Sequence, residues 1–249
     1  MNKIKNLLIS LLAVMLAACS QSQIEGSINA TGNFIEAATV TKQQMIEESR
    51  LSAQEMDKNN PIAPPDHPYA KRLKKLTRGL QHYDGLDLDY RVYLVRDINA
   101  FAMPDGTVRI FAGLMKIMND DEVVAVIGHE IGHVANEHAL NQYKKVYLAK
   151  AAKEGLTAAD GSIGRVAGAY GDIAEEFLKA QFSQSDELES DAYGVKVLHD
   201  VGRDPYAAVS AQEKLQKLGG GSSSVFSSHP PSEKRIKLAR EAADKITGK

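Results

Sequence analysis

The apolar positions of this chain change period along its length, and each change marks an element. From Glu36 to Lys58 helical propensity is high but strong apolar positions are few. The stretch NNPIAPPDHP, Asn59 to Pro68, then carries four prolines, which stop a helix by removing amide donors and crowding the preceding turn. In YAKRLKKLTRGL the leucines at 73, 76 and 80 have the spacing of a short amphipathic helix. LDLDYRVYLVRD instead places Leu88, Tyr90, Val92 and Leu94 on one face of a period-two strand. Pro104-Asp105-Gly106 is a turn signal, and Val108 to Phe111 reads as a second strand.

Beyond that point helical patterns dominate. Asn119 stands three residues before Glu122, with Asp120 and Asp121 between them, a capped helix start whose acidic first turn suits the helix dipole. The helix that follows carries Val124, Ile127, Ile131 and Val134 as an apolar stripe, so it is expected inside the core. Gly128 and Gly132 on the same helix would admit a neighbouring backbone. Gly155 to Gly171 is rich in glycine and alanine with weak periodicity, a mobile insertion or a loosely packed helix. SDELESDAYGVKVLHDVG is a helix ended by Gly202. Asp204 caps the next, with Pro205 in its first turn, GGGSSSVFSSHPP is a flexible loop, and SEKRIKLAREAADKI is a closing helix. Two strands followed by many helices predict an α+β fold that is mostly helical, with the domain at 61–249 and a tether plus N-terminal helix at 19–60.

Composition adds a location. The 249 residues are 43% hydrophobic and 25% charged with a net charge of −2, room for one sizeable domain and no charge excess that would call for nucleic acid. Lys3 and Lys5 precede an apolar run, Leu7 to Leu16, too short to span a bilayer well; residues 1–18 are expected to be a secretory signal. The run ends in LAAC, which resembles the bacterial lipobox and implies cleavage before Cys19 and acylation of that residue. Cys19 is the only cysteine, so no disulfide framework exists. Several acyl chains on one residue would hold the protein stably to a membrane. Ser20 after Cys19 resembles the Gram-negative sorting pattern for the outer membrane, with the domain facing the periplasm.

The chemistry lies in VVAVIGHEIGHVANEHA. Histidines four apart sit about 40° round the helix and roughly 6 Å along it, so His129 and His133 aim at one point. Glu130, about 100° from His129, flanks that point and can reach a water there. This is HExxH, two zinc ligands and a general base. A third ligand decides whether the site is catalytic. A metzincin histidine would fall at Ala139 with its glycine at Asn136, and His138 is one residue out of register, so His138 is expected at the helix surface or beside the ligands. In ELESD, Glu187 and Asp191 share a helical face; one can bind an ion while the other fixes a histidine ring, and Glu189 falls on another face. His67, His82 and His199 show no partner pattern and read as structural or exposed.

NAFAMPDGTVRIFAGLM, HEIGH, ELESD and SSHPPSEKRI occur in the order seen in the HtpX and CAAX-protease family of zinc metallopeptidases. From about Pro61 onward the chain resembles that family's soluble periplasmic or outer-membrane lipoprotein members. The resemblance implies a zincin-like domain with a small sheet and an active-site helix, one Zn2+ per chain on His129, His133 and Glu187, Glu130 as catalytic base, and Asp191 supporting the site. It implies that the edge at Asn99, Ala100 and Phe101 pairs with substrate backbone. His229, with Arg235 six residues on, would stabilise a developing oxyanion. The Gly/Ser-rich segment before His229 suggests the alternative of a latent enzyme with His229 on the open zinc position. Gln184 stands where the family often carries arginine, which leaves a salt bridge there in doubt. Protein and peptide substrates are implied, in particular misfolded or misassembled envelope proteins. The competing reading is a non-catalytic zinc-binding lipoprotein with a chaperone-like role towards envelope partners.

Overall fold

The structure, a computed structural model, describes residues 41–153, 169–218, 228–230 and 232–249. The signal segment, Cys19 and the tether lie outside these residues, as do most of the glycine- and alanine-rich segment and 219–227 of the Gly/Ser loop. Lys42–Tyr147 together with Ala169–Lys249 form one compact unit.

Helix α1, Lys42–Asn59, ends at the proline-rich break. Helix α2, Pro68–Leu76, starts with His67 as its cap: the His67 Nδ1 accepts the Tyr69 N–H at 3.2 Å, and Pro68 supplies a fixed φ. His67 is thus a structural residue. Leu73 and Leu76 are buried as their spacing predicts, but the helix stops before Leu80. Gly79, at φ +86°, turns the chain there, and Leu80 reaches the core from the turn.

A two-stranded hairpin, β1 (His82–Tyr83) and β2 (Leu86–Asp87), leads into a three-stranded sheet. Its strands are β3 (Asp89–Tyr93), β4 (Ala100–Ala102) and β5 (Thr107–Phe111), in the order β3-β5-β4. β3 pairs with β5 in parallel, β4 with β5 antiparallel, and β4 is therefore an edge. The hydrophobic period shows only two of these strands; the third, Ala-Phe-Ala, is too short for a period to register and falls on the edge that the family resemblance implied at Asn99, Ala100 and Phe101. The Asp105-Gly106 turn before β5 needs glycine: at φ +86°, a Cβ on Gly106 would lie 1.9 Å from the Asp87 carbonyl oxygen.

All five residues of β5 are buried, where a half-buried strand would alternate. The reason is a second covering layer. Val108 and Ile110 face the main core, while Arg109 and Phe111 face the other way, with Tyr93 and Phe101 beside them in an aromatic cluster. There α1 closes the sheet: Arg109 donates from Nε and Nη2 to the two oxygens of Asp57, both at 2.8 Å, and the Tyr93 hydroxyl donates to Asp57 at 2.7 Å.

Helix α3, Ala112–Ile117, follows β5 directly. Helix α4, Asp120–Ala135, opens with the expected capping box: Asn119 Oδ1 accepts the Glu122 N–H and a Glu122 carboxylate oxygen accepts the Asn119 N–H, each at 2.9 Å. α5 is His138–Lys153, α6 Tyr170–Lys179, and α7 Gln184–Asp200, capped by Ser183 and followed by Gly202 at φ +70°. α8 is Ala207–Lys217; Asp204 accepts the Tyr206 N–H at 3.0 Å and so caps a preceding turn rather than the helix itself. α9, Glu233–Thr247, is capped by Ser232.

Val124, Ile127 and Ile131 of α4 are fully buried, each contributing about 1.5–3 kcal/mol by leaving water. α4 and α7 touch backbone to backbone along a glycine seam. A Cβ on Gly128 would sit 2.9 Å from the Gly194 Cα, and one on Gly132 would sit 2.9 Å from the Ser190 Cα. This seam sets the distance between the two helices that carry the motifs. Gly128→Val is expected to cost about 1–3 kcal/mol by overpacking, lowering the unfolding midpoint by roughly 2–4 °C per kcal/mol. Thermal denaturation of the purified variant checks this, and an unchanged midpoint would contradict so tight a seam.

Candidate active site

α4 turns His129, Glu130 and His133 into the interior, and α7 turns Glu187 and Asp191 to meet them. His229 arrives from the segment before α9, and Arg235 from the first turn of that helix. The ligand-capable atoms of His129, His133, Glu187 and His229 all lie within 4.8 Å of one another.

The distances suit a cation better than a hydrogen-bond network. His129 Nε2 lies 3.1 Å from His133 Nε2, 3.3 Å from His229 Nδ1 and 3.7 Å from Glu187 Oε2. His133 Nε2 is 3.4 Å from Glu187 Oε1. Donors about 2.0–2.1 Å from one tetrahedral ion stand about 3.3 Å apart. The His129 Nδ1 proton is committed elsewhere, since Asp191 Oδ1 lies 2.9 Å from that nitrogen. In the neutral ring this leaves a lone pair on Nε2 facing another ring nitrogen at van der Waals contact or closer, an arrangement that a shared cation relieves. The residues fit a metal, with His129, His133 and Glu187 as protein donors and His229 Nδ1 as a fourth.

Asp191 and Arg235 hold this arrangement from behind. Arg235 donates through Nε and Nη2 to Asp191 at 2.8 and 2.7 Å, reaches Glu187 Oε2 with Nη1 at 2.5 Å, and donates to the Pro230 carbonyl at 3.1 Å. Burial would raise both carboxyls. For Glu187 the charge of His229 and the hydrogen bonds of His133 and His229 outweigh it; for Asp191 the hydrogen bonds of Arg235 and His129 do so. Both are held far below the usual carboxylate range. Burial drives the His133 ring well below its ordinary value, favouring the neutral form a metal requires.

Glu130 differs in kind. It is buried, and that burial raises its proton affinity, partly offset by the nearby His229 and His129 rings. The backbone of Ala102 on β4 lies near enough to favour its charged form slightly, so the glutamate borders the edge strand. His229 Nε2 stands 3.7 Å from Glu130 Oε1, while its Nδ1 lies 2.8 Å from Glu187 Oε1. On β4 itself, the Asn99 side chain accepts the Ala100 N–H at 2.9 Å. Phe101 packs among Tyr93 and Phe111, so its side chain belongs to the core and only backbone remains at the edge.

Three further residues complete the picture. His138 is buried beside the site, with Nδ1 3.3 Å from Ser190 Oγ and Nε2 3.3 Å from Glu189, whose side chain is otherwise exposed. Gln184 meets Lys234 at 3.4 Å on the surface, without an ion pair. Phe182 was not singled out in the sequence: its ring stacks on His133 at 3.9 Å and on His229 at 5.2 Å, and its N–H donates to the Ser228 carbonyl at 3.3 Å. A lone aromatic in QFSQSDE carries no periodic signal. His82 and His199 are exposed, as expected.

Two imidazoles and a carboxylate from two packed helices, with a separate buried glutamate at their flank, define a metal-dependent hydrolase of the HExxH kind. The chain belongs to peptidase family M48, whose model matches residues 69–243. It is 35% identical over 243 residues to Metalloprotease LoiP of Escherichia coli (strain K12), covering 96% of each chain. It is 34% identical over 235 residues to Metalloprotease YcaL of the same organism, covering 92% of each. It is 26% identical over 184 residues to the β-barrel assembly-enhancing protease of that strain, covering 68% of this chain and 37% of that protein. The protein is a zinc metalloendopeptidase, and the reading as a zinc-binding lipoprotein without catalysis gives way.

Proposed function

We propose that this endopeptidase holds one Zn2+ on His129, His133 and Glu187, and cleaves misfolded or misassembled envelope proteins from a lipid anchor at the periplasmic face of the outer membrane. The observation that carries the catalytic part is the convergence of those three donors with the buried Glu130 beside them. When bound, zinc supplies Lewis acidity that polarises the scissile carbonyl and acidifies a water. Glu130 takes the proton of the attacking water on its carboxylate and passes it to the leaving amine; burial, which raises its proton affinity, suits it to both steps. Asp191 fixes the His129 ring, and Arg235 keeps Asp191 and Glu187 in place. Substrate backbone adds to the edge of β4, where the Asn99 side chain gives up the Ala100 N–H.

His229 favours the latent reading over oxyanion help in this state, because its Nδ1 stands among the donor atoms, 2.8 Å from Glu187. His229→Ala is then expected to raise peptide turnover, by about tenfold if the closed arrangement outweighs the open one by that ratio. Slower turnover, measured on a fluorogenic peptide, would assign His229 to the transition state instead.

The location rests on LAAC and on Ser20, and the choice of substrates on the name of one relative, which speaks of β-barrel assembly. Metabolic palmitate labelling and membrane fractionation of the wild type beside Cys19→Ala test the anchor. Quantitative proteomics of cells carrying Glu130→Gln tests the substrates, with misassembled outer-membrane proteins expected to accumulate. No label lost on Cys19→Ala and no envelope protein accumulating would overturn this placement.

A further inference from the structure

From His67 to Tyr83 the chain carries Lys71, Arg72, Lys74, Lys75 and Arg78 and no acidic residue, although basic and acidic residues nearly balance over the whole sequence, 30 against 32. Helix spacing sorts these cations. Lys71, Lys74 and Lys75 fall within about 100° of arc on α2, opposite the buried Leu73 and Leu76. Arg78 follows in the turn after the helix, and all four are exposed. None of the four has an acidic partner among the described residues. Elsewhere exposed cations sit against a carboxylate, as Lys58 does with Glu55 and Arg240 with Glu213. Arg72 turns away from the stripe. It pairs with Asp120 at 2.7 Å and donates to the Met118 carbonyl at 2.8 Å, which fixes α2 against the start of α4. Like charges three and four residues apart destabilise a helix, so the stripe is a cost to the fold that an anionic partner would offset.

We propose that this stripe docks the domain on an anionic phospholipid surface, meeting its phosphate headgroups. The inference rests on the placement beside a membrane proposed above. A lipid on Cys19 lies well upstream of α1 and by itself selects no face of the domain; the stripe supplies the selection. Basic side chains are drawn to an anionic bilayer within a Debye length, and four on one face act together. Their position also suits the reaction. α2 packs on β3, and β3 and β4 are opposite edges of the three-stranded sheet. Docking through α2 therefore leaves the β4 edge uncovered for substrate.

The test uses the purified chain from Ser20 onward, so that no acyl group contributes, and sedimentation with vesicles. Vesicles of about one phosphatidylglycerol to three phosphatidylcholine should bind it at least about tenfold more tightly than phosphatidylcholine alone, and less so as salt rises. Lys71→Gln, Lys74→Gln, Lys75→Gln and Arg78→Gln together should weaken binding by about fivefold per residue, with peptide cleavage in solution unchanged. The same replacement at Lys58, Lys179, Lys237 and Arg240, exposed cations already paired with carboxylates, removes equal charge. That control should stay within about threefold of the wild type. Equal loss in the two variants, or equal binding to the two kinds of vesicle, would overturn the docking surface. Tighter binding to polyglutamate than to the vesicles would overturn it too, assigning the stripe to an acidic protein. Vesicle binding as expected with no label on Cys19 removes the anchor and leaves the stripe; a labelled Cys19 with no vesicle binding overturns the stripe alone.

Discussion

Glu130→Gln is expected to lower kcat for peptide hydrolysis by about 10²- to 10⁴-fold, the range a positioned acid–base group contributes. The substitution keeps the shape and a hydrogen-bonding oxygen, and removes only the capacity to carry a proton. Metal content should therefore be unchanged, since Glu130 stands outside the group of converging donors. Steady-state kinetics with metal analysis of the same preparation separates the two effects. Hydrolysis at the wild-type rate would remove Glu130 from the mechanism; loss of the metal together with activity would make it a ligand instead.

Arg235→Met should be the most destabilising single change at the site. Arg235 is buried with two buried carboxylates, Asp191 and Glu187, as its partners. Removing the cation leaves Asp191 with the His129 ring and Glu187 with the His133 and His229 rings as their remaining partners, and breaking a buried pair in this way costs about 3–5 kcal/mol. At roughly 2–4 °C per kcal/mol, the unfolding midpoint should fall by roughly 6–20 °C. Part of the deficit should be masked by bound zinc, which offsets the charge of Glu187, so a chelator should widen the gap between variant and wild type. Arg235→Lys should recover only part of the loss, because an ammonium cannot reproduce the two parallel bonds to Asp191. Calorimetry with and without chelator measures all of this, and a shift under about 2 °C would show that Arg235 does not compensate those charges.

What the sequence disclosed of the site follows from helix geometry. His129, Glu130 and His133, and separately Glu187 and Asp191, have their relations set by 3.6 residues per turn, so spacing alone places them on faces. Gly128 and Gly132 could be read as a seam for the same reason, and the partner across it proved to be the helix that carries ELESD. Contacts made across the fold were not legible in this way. Phe182 acts through neighbours that only tertiary packing supplies. Arg235 could be singled out but its partners could not: it clamps Asp191 and Glu187 from behind the ligand cluster. The same limit applies to the sheet. β4 is three residues of which two are alanine, and α1, whose Asp57 binds the buried Arg109, lies across a run of prolines that reads as a boundary.

The most direct measurement of the shared metal is zinc affinity by chelator competition in the His229→Ala background, where His229 cannot substitute for a lost ligand. There the chain should bind one zinc, and adding Glu187→Ala should weaken binding by more than the about 10–100-fold that loss of an outer partner brings. Zinc bound equally well by the two proteins would mean that Glu187 is not a ligand, and the three-donor site described here would be wrong.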